Sequence, residues 1–181
     1  DIMRKKGVAN INLVGGDPVP NTHVILDALT LATANFPVVW NTNMYGSSED
    51  MNLVQDLVDF WLPDFKYGND ECGLRLSKVK GYFGVVSRNH IMALENGGEI
   101  VIRHLVMPDH IECCTKPVLR FVSEKMPGTL VNIMDQYHPD NVVLERPKEY
   151  PELTRRVSLK EMREVFAFAD GLGIEYKDVS K

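Results

Sequence analysis

Asn10-Ile-Asn-Leu-Val-Gly-Gly-Asp-Pro-Val-Pro20 runs a short apolar strand directly into two glycines, a carboxylate and a proline. Without Cβ atoms, Gly15 and Gly16 can take positive φ and admit a ligand close to their amides and carbonyls. Pro18 stiffens the exit. Asp17 stands where a strand ends and a loop begins, the end of a parallel α/β sheet or barrel at which ligands bind. Its carboxylate suits an ammonium group. Two readings of Gly-Gly-Asp-Pro stand side by side: a ligand loop, or simply a good turn.

Outward from this stretch, short apolar runs rich in β-branched residues alternate with longer segments of helical period. This is the pattern of repeated βα units and a parallel sheet. Strands are expected over Ala9 to Val14, Val38 to Asn41, Leu62 to Lys66, Ile100 to Val106 and Leu130 to Asp135. Helices are expected over Thr22 to Ala34, Glu49 to Phe60, Leu74 to Glu95 with a break near Gly81, Glu112 to Met126, and Ser158 to Gly171. Ser158 and Glu161 form a capping box, and Leu159, Met162, Val165, Phe166 and Ala169 make the apolar face of that last helix. Asn141 to Pro151 carries charge, two prolines and no period, and reads as an excursion over the barrel.

The 181 residues suffice for one domain that buries about 70% of its unfolded surface. A net charge of −5 argues against a nucleic-acid footprint, and Arg4-Lys5-Lys6 is too short a basic cluster to change this. No apolar run approaches the roughly 18 residues of a membrane span, and the first residues are not a signal peptide. The expected home is the cytoplasm. Cys72, Cys113 and Cys114 are odd in number and include an adjacent pair, a poor disulfide framework that fits a reducing compartment. They form no recognisable metal motif: adjacent side chains point apart, and no third or fourth ligand lies at a useful spacing. The expectation is therefore that no residue here binds metal. The chain opens on Ile2-Met-Arg-Lys-Lys-Gly7, which reads as the tail of a helix whose beginning lies upstream.

The remaining strand ends are polar and would gather round one mouth. Asn41 and Asn43, at i and i+2, can face one side of the second strand, where amides suit ribose hydroxyls or a carboxylate. Asp64 and Lys66 put a carboxylate and an ammonium on one face of the third, either as active-site groups or as a structural ion pair. Arg103 and His104 are neighbours that must point to opposite faces. A buried Arg requires a ligand carboxylate or an internal acid as partner, whereas a His beside a strand reads as a hydrogen-bonded packing residue. Gln136, Tyr137 and His138 close the last strand, and His138 has no second His or Cys at ligand spacing.

Gly-Gly-Asp-Pro resembles the Gly-Gly-Glu-Pro motif of radical S-adenosylmethionine (SAM) enzymes, with Asp17 one methylene shorter than the usual Glu. Taken in order with Asn-Thr-Asn, Asp-Phe-Lys, Ile-Arg-His-Leu-Val-Met-Pro and Met-Asp-Gln-Tyr-His-Pro, it is similar to the strand ends of one subgroup, the pyruvate formate-lyase activating enzyme-like proteins. The similarity spans Val8 to about Gly173. It implies a partial (β/α)6 TIM-like barrel, with the first βα unit missing, in which SAM lies across the strand ends against a [4Fe-4S] cluster. By that resemblance Gly15, Gly16 and Asp17 hold the methionine amino group, and Asn41 and Asn43 contact the ribose or carboxylate. Asp64 and Lys66 line the active site, Arg103 contacts SAM or balances its charge, and Gln136 and Tyr137 stand by the adenine or substrate.

The family holds its cluster with cysteines spaced C-x3-C-x2-C before Gly-Gly-Glu-Pro, and these 181 residues contain no such run. The chemistry implied for an intact protein is reductive cleavage of SAM to a 5′-deoxyadenosyl radical that abstracts a hydrogen atom. The implied partners are a glycyl radical enzyme or other protein or peptide substrate, and an electron donor such as flavodoxin or ferredoxin. Two rivals remain. One is a catalytically inactive SAM- or nucleotide-binding barrel module. The other is an aldolase-type barrel, for which the last strands lack a Schiff-base lysine and a phosphate-gripping glycine loop.

Overall fold

The computed structural model describes residues 7–33 and 35–180. The expected helix tail and basic cluster over residues 2–6 therefore lie outside the described residues. Five parallel strands alternate with helices: β1 (Ile11–Leu13), β2 (Val38–Thr42), β3 (Phe60–Pro63), β4 (Glu99–Leu105) and β5 (Leu130–Met134), in the order β1-β2-β3-β4-β5. The helices are α1 (Thr22–Thr30), α2 (Ser48–Val54), α3 (Asp70–Ser77), α4 (Tyr82–Glu95), α5 (Lys116–Lys125), the single turn α6 (Val142–Glu145) and α7 (Leu159–Leu172). Two compact units share β4: Asp1–Asp64 with Val85–Val101, and Phe65–Gly84 with Ile102–Lys181.

In the first unit, β1 pairs with β2 and β2 with β3, in a register that sets Leu13 opposite Trp40 and Trp40 opposite Trp61. The two indoles are buried and meet edge to face at 6.5 Å. Trp61 lies where a Cβ on Gly98 would stand, 2.6 Å from it, so only glycine fits at that position. This packing explains a difference from the expected boundaries. Phe60 belongs to β3 rather than to the preceding helix, and β3 starts two residues before the expected Leu62 and ends at Pro63; the helix stops at Val54 and passes through a 3-10 turn, Gln55–Leu57. Burying a tryptophan against its partner outweighs helix continuation through Val54 and Val58, whose branched side chains favour strand. At the foot of the strands the Asp59 carboxylate accepts from the Val38 amide at 2.8 Å.

The second unit is built on aromatic packing of Phe65 with Phe83 and Phe121, both at 5.6 Å. The expected Leu74 to Glu95 helix is two helices. Lys78 and Gly81, both at positive φ, break it, and Asn69 starts α3 four residues earlier by accepting from the Cys72 amide. A π-helical turn, Ile111–Thr115, precedes α5. The backbone at Glu175 accepts from the Val131 amide along the outer edge of β5. The capping box of α7 forms as expected, with Ser158 and Glu161 exchanging hydrogen bonds, and Gly173 closes the helix in the left-handed conformation. Met162, Val165 and Ala169 are buried and Phe166 stacks on Tyr176, but Leu159, at the first position of the helix, is exposed. No helix among the described residues is long and apolar enough to cross a membrane.

His104 is the packing residue its sequence context implies. Its Nδ1 meets the Phe65 carbonyl at 2.7 Å and its Nε2 the Thr115 hydroxyl at 2.9 Å, all fully buried. A carbonyl only accepts, so Nδ1 carries the proton and Nε2 accepts from Thr115; the ring is neutral. Burial pushes both His104 and His90, the latter bonded to the Val86 carbonyl, down to about 4. Between pH 4 and the ordinary histidine value near 6.5 the unfolded chain binds more protons than the folded one, so stability falls as the pH is lowered through that window. Thermal unfolding between pH 7 and pH 4.5 is expected to show this loss, with a shallower slope in His90→Leu; an unchanged slope refutes the assignment for His90. Ser158→Ala removes the α7 cap at a cost of about 1 kcal/mol, read as a melting temperature lower by about 3 °C.

Candidate functional site

Gly16 and Asp17 both take the left-handed conformation, with φ of 63° and 64°. Asp is one of the few side chains that tolerates it, because its short carboxylate can bond locally. Its Oδ1 accepts from the Val19 amide at 3.1 Å and the Thr42 hydroxyl at 3.0 Å, and its Oδ2 from the Asn43 amide at 2.6 Å. The carboxylate therefore ties the loop after β1 to the end of β2. With three bonds made, Oδ2 keeps one acceptor direction for a ligand. Beside it Gly15 and Gly16 are exposed, with no heavy atom within 4 Å of where a Cβ would stand.

Asn41 is buried at the end of β2, whereas Asn43 lies just beyond the strand with its carboxamide oxygen accepting from the Tyr45 amide at 2.8 Å. The Asp64 amide donates to the Thr42 carbonyl at 2.8 Å, extending the β2–β3 ladder past Pro63. Sequence reading missed Asn89 of α4, fully buried, whose Nδ2 donates to the Met44 carbonyl at 2.8 Å and the Gly46 carbonyl at 3.0 Å. It braces the β2 loop from outside. An isolated Asn in the middle of a helix carries no local signal of such a role.

In the second unit, Lys66 and Tyr137 line one cavity of about 480 Å³ with Tyr67, Leu105, Met107 and Tyr150. The Lys66 amide donates to the Tyr82 hydroxyl at 2.8 Å, and the Tyr137 hydroxyl donates to the Leu153 carbonyl at 2.8 Å. Gln136 is exposed and outside that lining. Arg103 and His104 point to opposite faces of β4, as adjacent strand residues must, and His104 takes the fully buried one. Asp64 falls in the first unit and Lys66 in the second.

The expectation that Cys113 and Cys114 lack further partners does not hold. Cys72, His110, Cys113 and Cys114 converge, their Sγ and ring nitrogen atoms all within 4.8 Å of one another. Adjacent side chains point apart in a strand, but these two cysteines lie in a π-helical turn, where successive side chains splay far less. Cys72 arrives from the first turn of α3, and His110 immediately precedes the π turn. His-x-x-Cys-Cys was the available signal; its third thiol lies 38 residues before that His, beyond any local spacing rule.

No family model matches the chain. It is 44% identical over 166 residues to an uncharacterized protein of Methanocaldococcus jannaschii, a match that covers 92% of this chain and 47% of the relative. The chain thus spans about half the length of the curated relative it matches. Among solved structures, a domain of pyruvate-formate lyase-activating enzyme from Bacteroides vulgatus superposes with a TM-score of 0.68 at 13% identity, over 93% of this chain and 97% of that domain. The chain has the fold of that activating-enzyme domain.

Proposed function

We propose that this chain is the SAM-binding part of a radical SAM enzyme of the glycyl-radical-enzyme activase type, a partial (β/α)6 barrel. The observation that carries the reading is agreement between independent lines. The strand-end motifs are similar to those of activating enzymes, and nearly the whole chain shares the fold of a domain of one such enzyme.

The residues at the end of β1 fit the methionine end of SAM. Gly15 and Gly16 leave their backbone open, and Asp17 presents a carboxylate already oriented by three hydrogen bonds. An ammonium group placed there gains a charge-assisted bond from a side chain that pays no further ordering entropy. Asn41 and Asn43 serve the ribose or carboxylate. Arg103 balances the SAM charge, Gln136 and Tyr137 serve the adenine or substrate side, and Asp64 and Lys66 line the active site. The apolar cavity beside Lys66 and Tyr137 suits the substrate, and a protein or peptide segment is the class of partner this reading implies, with flavodoxin or ferredoxin as electron donor.

The reductive chemistry of such an enzyme would draw its electron from a [4Fe-4S] cluster held by cysteines. The cysteines of this chain do not fit it. A cubane binds each cysteine through a different iron at a separate corner, whereas the sulfurs of Cys72, Cys113 and Cys114 converge on one point, at 3.8 and 3.9 Å.

Calorimetric titration of the chain with SAM is expected to show binding that weakens at least tenfold in Asp17→Ala and likewise in Asp17→Asn, which keeps a side chain that tolerates the left-handed backbone but loses the charge. Equal SAM affinity in Asp17→Ala, or no binding in the wild type, overturns the site. In a polypeptide that joins this chain to a C-x3-C-x2-C segment, reduced anaerobically, release of 5′-deoxyadenosine from SAM is expected. Binding without cleavage there supports the inactive SAM-binding module instead.

A further inference from the structure

Three thiols and an imidazole meet in the second unit at a place the strand-end chemistry does not use. The sulfurs of Cys72 and Cys113 are 3.8 Å apart and those of Cys113 and Cys114 3.9 Å. His110 Nδ1 stands 3.8, 3.2 and 3.8 Å from the sulfurs of Cys72, Cys113 and Cys114. A tetrahedral zinc ion, with bonds of about 2.3 Å to sulfur and about 2.0 Å to nitrogen, sets sulfur–sulfur edges near about 3.8 Å and sulfur–nitrogen edges near about 3.5 Å. Five of the six edges stand near those lengths, and the sixth, between the sulfurs of Cys72 and Cys114, is within 4.8 Å. All three cysteines are free, and bonded sulfurs would lie about 2.05 Å apart.

The geometry points to a closed Cys3His zinc site, formed by Cys72, His110, Cys113 and Cys114, that clamps the segment after β3 to the turn after β4. Three thiolates with one neutral imidazole form a soft donor set that selects zinc over the hard cations, and four protein ligands leave no position open for catalysis. The ion is structural.

The surroundings are built for such a centre. His110 turns its Nε2 toward the Glu152 carboxylate at 3.5 Å, and Arg75 holds the same carboxylate oxygen. A carboxylate behind a metal-bound imidazole fixes its tautomer and raises its basicity. Asn69 clips the two ligand-bearing segments together, its Oδ1 accepting from the Cys72 amide at 2.8 Å and its Nδ2 donating to the Cys113 carbonyl at 2.7 Å. Gly68 allows that approach, since a Cβ there would stand 2.6 Å from the Cys114 carbonyl oxygen and 2.7 Å from that of Cys113. Cys72, His110 and Cys114 are buried, so the ion would be enclosed.

The test needs no SAM and no activity, so its outcome is separate from that of the SAM reading. The chain, purified without added metal, is expected to carry one zinc per molecule by plasma mass spectrometry, with a zinc K-edge X-ray absorption spectrum fitted by three sulfurs and one nitrogen. Replacement by cobalt(II) is expected to give the intense visible bands of tetrahedral thiolate coordination. Stripping the zinc is expected to lower the melting temperature, and re-addition to restore it, because metal affinity here is folding free energy. Cys114→Ser is expected to lose the ion. Should that variant fail to fold, Glu152→Gln, which leaves the four ligands in place, is expected to weaken zinc about 10- to 100-fold. A metal-free chain whose three thiols titrate normally and whose melting temperature ignores zinc overturns the proposal, as does iron or a disulfide found in place of zinc.

Discussion

The parallel register that sets Leu13 opposite Trp40 and Trp40 opposite Trp61 governs everything at the ligand end of the first unit. A slip of one residue in either pairing would turn a buried indole to the opposite face. It would also take Thr42 and Asn43 away from the Asp17 carboxylate, whose bonds to the Thr42 hydroxyl and the Asn43 amide exist only in this register. The loop geometry is thus a consequence of aromatic packing several residues away. Gly98 permits that packing by leaving space for the Trp61 ring, and Asn89 holds the β2 loop where the register puts it.

The second unit answers a different demand. His104, His110 and Thr115 are buried there, and a buried polar group needs a partner. His104 meets this as a neutral ring between the Phe65 carbonyl and the Thr115 hydroxyl, joining the residue after β3 to the end of the π turn. The same turn carries Cys113 and Cys114, and the segment leading out of β3 carries Gly68, Asn69 and Cys72. One hydrogen-bonded histidine and one cluster of soft ligands therefore act on the same two pieces of chain. Holding them together also holds Lys66 and Tyr67, which line the adjoining cavity.

Much of the architecture was legible because its signals are local. The alternation of β-branched runs with helical segments predicted all five strands in order, Gly81 marked a helix break, and Ser158 with Glu161 marked a helix start. Where local propensity competed with packing, reading the sequence placed the boundary wrongly. Phe60 lies in a strand although its local context continues a helix, and Leu159 stands exposed at the helix start although it falls on the apolar period. The Gly-Gly-Asp-Pro loop was legible as a possible site, since two glycines, a carboxylate and a proline are written in four consecutive residues.

By itself the sequence determined the alternation of elements, the polar character of the strand ends and the absence of a C-x3-C-x2-C run, all of them properties of neighbours along the chain. Only the tertiary structure decided which lone pairs of Asp17 are already used, which face His104 takes, and that Cys72 meets His110, Cys113 and Cys114. The physical reason is distance along the chain. Cys72 and His110 are 38 residues apart, and no periodicity or propensity links them. They meet because the Phe65 amide donates to the Arg103 carbonyl, which sets the segment after β3 beside the one that leads to His110, and because a π turn lets two adjacent cysteines face one point.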